Sequence, residues 1–583
     1  MLLKVNQPDD RDARAAIGLL HGVRDSLQIF INIYKQAKYR VVPQLAGLPV
    51  SSSTLVSSPS TVPVPAAQVW ALRFPVLDGA GVALLMAVYG AVWVTAYWMA
   101  TLSPPVDNVE QLVWLRSLEW GYFKHPPLPT WVLGATAAIF GATVELTYVM
   151  GALFTLGALA LFWRQLRAMR GGRYATLALL AALCITFYCG RVYYYNHNVV
   201  MMLWVSLAAG LSWRLTWRPS LLGWVAMGVV AGLGMLAKYQ FIVALAVVGI
   251  WWLRLRGWRH LVHRVGAPLA AAVALLVCAP HLHWLATHDW MPLGYANASS
   301  LGHDLSLPHR LLHTAQFSAD WLLNRALPAW LVLGCAVWWA RRQGEAPQRG
   351  EEAAPGAGYA QLSRQFLLLW GFLPLALMAL MGVVGGAKLH LHWGTAFMLW
   401  SVPAVMEWLA ARAAWTSLRT VRAAWAGFAV VQALLMAQSW MALPRGPRGY
   451  KSDHTDYFPS ERVADIIARQ AHAVLGGPID IVSGQQALAG AVAVRLAERP
   501  RVLILGELKY SPWIQPEELE TARVIEVFSA PGKLPLGAYR AVGQLAWRPG
   551  VSALSMRDQG DWLRASQEEA VDEPEGLDAS DRR

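Results

Sequence analysis

Residues Val76–Leu102 form a strongly apolar run with a single charge, Asp78, near its start, and it is longer than the roughly 20 residues a helix needs to cross a bilayer. Such a run narrows the possible folds, because hydrocarbon offers the backbone no hydrogen-bond partners and a spanning segment must be a helix or part of a closed barrel. Ten further apolar stretches follow, and composition agrees with them. The 583 residues are 56% hydrophobic and only 15% charged, with mean hydropathy +0.36. A soluble protein of this length would carry more charge and shorter apolar runs. The reading is an all-α polytopic membrane protein with a small C-terminal α/β domain. Many of the 30 tryptophans, such as Trp163, Trp213, Trp217, Trp251, Trp252 and Trp258, stand near the ends of apolar runs, as an interfacial aromatic belt does.

Eleven spans are expected at roughly 76–101, 147–163, 174–190, 198–213, 222–237, 240–253, 266–286, 326–340, 365–384, 393–411 and 423–443. Loop charge orients them. Arg164, Arg167, Arg170 and Arg173 fall in one loop, and Arg254, Arg256, Arg259 and Arg264 in a second. Arg341, Arg342, Arg349 and Arg364 fall in a third, and Arg412, Arg419 and Arg422 in a fourth. Basic loops face the cytoplasm. They alternate with basic-poor loops only if residues 128–146 do not cross, so this stretch is expected to lie at the outer surface. The net charge of +13 therefore reports orientation rather than nucleic-acid binding. The N-terminus is placed inside and the C-terminus outside. The domain plan is a partly disordered cytoplasmic extension at 1–75, a membrane domain at 76–443 with an outer loop at 103–146, a periplasmic α/β domain at 444–566 and an acidic disordered tail at 567–583. In the α/β domain, ERVADIIARQAHAVL and QQALAGAVAVRLAE read as helices, and PIDIVSG and RVLILG as strands. Cys184, Cys189, Cys278 and Cys335 all lie in apolar segments, so neither a disulfide framework nor a metal knuckle is expected.

The outer side collects the chemistry. Asp107, Glu110, Lys124 and His125 lie in the polar block that follows the first span. Arg191, Asn196, His197 and Asn198 follow the third span, and Lys238 and Tyr239 form the tip of the short hairpin 222–253. Lys388, His390 and His392 precede the tenth span. Ionisable groups at a membrane boundary are functional candidates. Cations there can hold a phosphate, and a carboxylate can take a proton from an attacking hydroxyl. Each has a plainer explanation: Asp107 can cap a helix, Lys124 can snorkel, and His390 with His392 is a weak metal signal without a third partner. The glycines Gly228 and Gly232 fit close helix packing.

Asp107, followed at helix-length spacing by Gly121-Tyr122 and His125-Pro126-Pro127-Leu128, resembles the first outer loop of polyprenyl-phosphate-sugar-dependent glycosyltransferases. These are GT-C fold enzymes of the glycosyltransferase family 39 type, related to protein O-mannosyltransferases and lipid A aminoarabinose transferases. GLGMLAKYQF at 232–241, AKLHLHWGTAF at 387–397 and the stretch 481–505 are similar to later blocks of the same family. The chain departs from the pattern at Asn108, Lys124 and Asn198, where relatives carry acids. The resemblance implies an inner-membrane enzyme that moves a sugar from a polyprenyl-phosphate donor to a hydroxyl of a cell-envelope acceptor, lipid A, lipopolysaccharide or protein, with inversion. Asp107, with Glu110 as a second carboxylate, would be catalytic. Lys124, His125, Arg191, Asn196, Lys238, Tyr239, Lys388, His390 and His392 would bind substrate. These motifs fix no cofactor, and a divalent metal is left open. The rival readings are a lipid-linked sugar flippase and a polysaccharide ligase or polymerase.

Overall fold

The structure, a computed structural model, describes residues 76–301, 305–344, 357–410, 415–442, 458–528, 539–544 and 553–557. The extension 1–75 and the tail 567–583 lie outside them.

The chain opens with α1 (Gly79–Ala100), then two short helices, α2 (Val106–Trp114) and α3 (Leu128–Phe140). Next come α4 (Val144–Arg170), α5 (Gly172–Ala182), α6 (His197–Trp217), α7 (Leu221–Ala237) and α8 (Ile242–Arg254). Then follow α9 (Leu261–Thr287), α10 (Met291–Ala296), α11 (Leu307–Ala319), α12 (Leu327–Arg342), α13 (Ala357–Val383), α14 (Ser401–Trp408) and α15 (Leu418–Ala442). Each expected span contains helix, but 174–190 is α-helical only as far as Ala182 and 393–411 only over Ser401–Trp408. Six of the helices are individually long and apolar enough to cross a bilayer, and the bent α11–α12 region makes a seventh if it counts as one span. Helix α3 has 13 residues, about 20 Å at 1.5 Å per residue, and with the two arms of the 222–253 hairpin it is one of three apolar helices among the described residues that fall short of a hydrocarbon core of about 30 Å. It ends at Gly141 with φ +84°, a conformation open to glycine, and Thr143 caps α4 by accepting from the Leu146 amide.

The hairpin reading of 222–253 holds, and a single long helix is excluded. The chain breaks at Lys238 (φ −165°, ψ 137°). Phe241 then packs back on Gly234, and the Trp251 indole reaches Thr216, before the start of α7. Gly228 and Gly232 of α7 lie against Ala270, Val273 and Val277 of α9, where a Cβ would meet atoms at 2.6 Å. The glycine spacing is thus a packing device. At the centre of the bundle, α5 and the turns after it are almost wholly buried, including Tyr188, Tyr193 and Tyr195. Leu84, Val88, Leu275, Leu276, Val430 and Leu434 are exposed on α1, α9 and α15, as lipid-facing surface requires.

Three of the four arginine loops are tied together at one end. Arg170 pairs with Glu407 at 2.6 Å, Arg173 donates to the Thr416 carbonyl, and Arg419 donates to the Gln343 carbonyl. Tyr359 donates to the Ala168 carbonyl and stacks on Trp217.

At the other end stands the α/β unit. Helices α16 (Ser460–Leu475) and α17 (Gln486–Ala493) accompany strands β1 (Ile481–Gly484), β2 (Arg501–Ile504), β3 (Val524–Phe528), β4 (Tyr539–Gln544) and β5 (Ala553–Arg557), in the order β2-β1-β3-β5-β4. β1 is parallel to β2 and β3, with Ser483 opposite Leu503 and Glu526, and β5 is antiparallel to β3 and β4. The unit shares one apolar cluster with the outer loop: Val109, Val113, Trp114, Tyr122 and Phe123 pack with Ile481, Val492 and Leu503. Gly490 of α17 allows the contact, since a Cβ there would sit 2.5 Å from Val109.

Candidate active site

Helix α2 positions the carboxylates. Its N-cap is Pro105, with no side-chain cap bond, and Asp107 lies in the first turn. The capping role considered for Asp107 is therefore not the one seen. Its Oδ2 instead accepts from the Asn196 side-chain amide at 2.8 Å, while Asn196 Oδ1 caps α6 by accepting from the Val199 amide at 2.9 Å. One residue thus links the start of α6 to the carboxylate of α2. The neighbouring Asn108 points the opposite way and is fully buried. Its amide donates to Thr147 Oγ1 at 2.8 Å and to the Tyr193 carbonyl at 3.0 Å, and its Oδ1 accepts from the Tyr195 amide at 3.0 Å. The departure from an acid at this position falls in a clamp between α2, α4 and the 189–195 turns.

Glu110, one turn after Asp107, is buried and bound to Lys124 at 2.6 Å. Burial raises the Glu110 pKa and Lys124 opposes the shift, while Asp107 adds to it. Burial also works against the Lys124 charge, but Glu110 outweighs it and the lysine pKa rises. Expected as a second catalytic carboxylate, Glu110 is held in an ion pair. The Lys124 ammonium also lies 5.3 Å from the Phe123 ring centre and 5.7 Å from that of Tyr295. Lys238, which caps the C-terminal end of α7, donates to Asn198 Oδ1 at 2.8 Å. Burial lowers its pKa to about 8, with Asp107 and Glu110 offsetting part of that cost. The Asn198 departure therefore leaves Lys238 bonded to a neutral amide, and among the described residues no bonded carboxylate cancels its charge.

The His125 and His197 rings pack at a tilt of 45° with centres 4.1 Å apart, and both lie near Trp114. Burial pushes the His125 pKa well below the usual histidine range, and His197, Lys238 and Lys124 push the same way. Glu110, His125 and His197 each bring a ligand atom within 4.8 Å of the others.

The remaining candidates form an outer arc. Arg191 sits over Phe187 and Tyr194. His390 bonds to Ser300 Oγ at 3.0 Å and stacks on the exposed His392. The Lys388 amide donates to the Ser300 carbonyl at 2.7 Å. Residues 388–390 are irregular and 391–394 form a 3-10 turn, so the alternating K-L-H-L-H pattern is not a strand. Electrostatic reach from Lys238, Arg191 and Arg325 to His392 joins this arc to the inner group. Tyr239 bonds to His281 Nε2 at 2.8 Å, and His281 Nδ1 donates to the Trp120 carbonyl at 2.6 Å. That carbonyl can only accept, so Nδ1 carries the proton and Tyr239 donates to Nε2. Tyr239 thus serves a relay between the hairpin tip and the outer loop. Sequence reasoning missed His281, Tyr295 and Arg325, since a lone histidine in an apolar run, a loop tyrosine and a span-end arginine carry no spacing signal.

Residues 124–284 match the family described as dolichyl-phosphate-mannose-protein mannosyltransferase. Over 193 residues the chain is 25% identical to lipid A galacturonosyltransferase RgtD of Rhizobium johnstonii, covering 32% of this chain and 39% of that protein. Over 276 residues it is 29% identical to the undecaprenyl phosphate-alpha-4-amino-4-deoxy-L-arabinose arabinosyl transferase of Pseudomonas aeruginosa, covering 44% and 46%. The matched stretches span less than half the length of these curated relatives. The crystal structure of ArnT from Cupriavidus metallidurans bound to undecaprenyl phosphate aligns with 82% of this chain and 98% of its own, at 16% identity and TM-score 0.49. The resemblance to polyprenyl-phosphate-sugar glycosyltransferases expected from the outer-loop motifs is borne out by these sequence relatives.

Proposed function

We propose that the chain is a bacterial inner-membrane glycosyltransferase that moves a sugar from a polyprenyl-phosphate donor to a hydroxyl of a lipid A or lipopolysaccharide acceptor on the periplasmic face. The observation that carries this reading is a carboxylate fixed at the rim of the bundle by a helix-capping amide, Asp107 on Asn196, within electrostatic reach of Lys238. A flippase has no need of a base held in one orientation. The relatives named above are a lipid A galacturonosyltransferase and a transferase named for an undecaprenyl-phosphate sugar, which supports the donor and acceptor classes.

In the proposed mechanism the acceptor hydroxyl gives its proton to Asp107 as its oxygen attacks the anomeric carbon. The bond from that carbon to the donor phosphate oxygen breaks on the opposite side, and the polyprenyl phosphate leaves with the electron pair. One displacement inverts the centre. Lys238, with Lys388 and Arg191 further out, offsets the charge that grows on the phosphate. Lys124 holds Glu110 and so sets the electrostatics of the pocket more than it contacts the donor. The test is mass spectrometry of envelope glycolipids from cells with and without the protein. A sugar mass lost from lipid A or core on deletion, and restored by the wild-type chain but not by Asp107→Asn, is the expected result. Unchanged glycolipids would overturn the reading.

A further inference from the structure

We propose that Glu110, His125 and His197 form a binding site for one divalent transition-metal cation of the zinc class, one helical turn from Asp107. The first observation is the donor set. Two imidazoles and a carboxylate bring ligand atoms within 4.8 Å of one another. Around a tetrahedral zinc with bonds of about 2.0–2.1 Å, ligand atoms lie about 3.3 Å apart, so side-chain adjustments of the order of an ångström close the set. Two histidines and a glutamate also leave a fourth position open. Imidazole nitrogen favours zinc-class ions, whereas magnesium and calcium take oxygen ligands.

The second observation is independent of that clustering. His197 is 3% exposed, and its Nε2 has no hydrogen-bond partner. The ring's backbone hydrogen bond is to the Pro126 carbonyl. A carbonyl only accepts, so the nitrogen facing it, Nδ1, carries the proton, and Nε2 presents a bare lone pair. A bare buried acceptor is costly. A ring whose other nitrogen is fixed by a backbone carbonyl is also the usual preparation of a metal-binding histidine. Lys124 occupies Glu110 Oε2. A carboxylate has two oxygens and about four lone-pair sites, so one side remains for a cation. His390 and His392 do not join the set, and Lys238 is kept apart by its bond to Asn198.

The site stands independently of the glycosyltransferase reading, and its test needs no sugar transfer. Full-length, tag-free protein in detergent would be stripped with chelator and titrated with zinc alone. One equivalent binding in the micromolar range or tighter is expected. His197→Ala, His125→Ala and Glu110→Gln should each weaken it at least about tenfold, the scale on which even outer-shell changes act. His390→Ala should leave it unchanged. To guard against variants that fold poorly, X-ray absorption at the zinc edge of the wild-type protein should show two imidazoles and oxygen. No saturable zinc, a sulfur-containing or all-oxygen shell, or binding lost with His390→Ala would overturn the proposal.

Discussion

Asp107 and Asn196 make the sharpest residue-scale test. Asparagine at 107 keeps an oxygen to accept from the Asn196 amide but cannot take a proton from an acceptor. Sugar transfer by Asp107→Asn should fall by roughly two to four orders of magnitude, the scale of general-base loss, with donor binding nearly unchanged. Full turnover in this variant would remove Asp107 from the chemistry. Lys238 yields a test that depends on pH. With its pKa near 8, the lysine is charged below that value and neutral above it. Donor affinity of the purified protein should therefore weaken as pH rises through about 8. Lys238→Arg, charged throughout, should flatten that profile, and Lys238→Ala should weaken binding by roughly one to two orders of magnitude, matching the 1.5–3 kcal/mol of a charge-assisted hydrogen bond. A pH-independent wild type would assign Lys238 to anchoring instead.

At the scale of elements, two glycine contacts hold the site in register. Gly232 lets α7 lie against Val277 of α9, and a Cβ there would sit 2.6 Å from the valine Cβ. Overpacking of this kind costs about 1–3 kcal/mol. Gly232→Ala should lower the melting temperature in detergent, while Gly249→Ala, with open space around it, should not. Equal melting temperatures would mean that the α7–α9 contact yields easily. Gly490 plays the corresponding part between α17 and α2. Gly490→Leu should push the α/β unit off the Asp107 helix and lower turnover while leaving donor affinity close to wild type. Unaffected turnover would show that the α/β unit does not brace the helix.

At the scale of the whole molecule, the bundle separates its charges. Arginine loops meet at one end, and the carboxylates, lysines and histidines meet at the other beneath the α/β unit. A periplasmic reporter fused after Leu443 should be active, and a cytoplasmic reporter in the same place silent. The converse would invert the topology and move the candidate site to the cytoplasmic face.

Hydropathy and loop arginines determined the membrane class, the long apolar helices and the Lys238 hairpin tip, because each follows from local physics: how far a helix reaches and where a charge is tolerated. The alternating helices and strands of the C-terminal unit were legible for the same reason. Asp107, Lys238 and His125 stood out as charges beside apolar helices. Their partners did not. That Asn196 holds Asp107, that Lys124 neutralises Glu110, and that the His197 ring packs against His125 are contacts between segments up to 89 residues apart. Only the packing of α2 against α4, α6 and the α/β unit decided them, because no periodicity records which side chains meet across a folded interior.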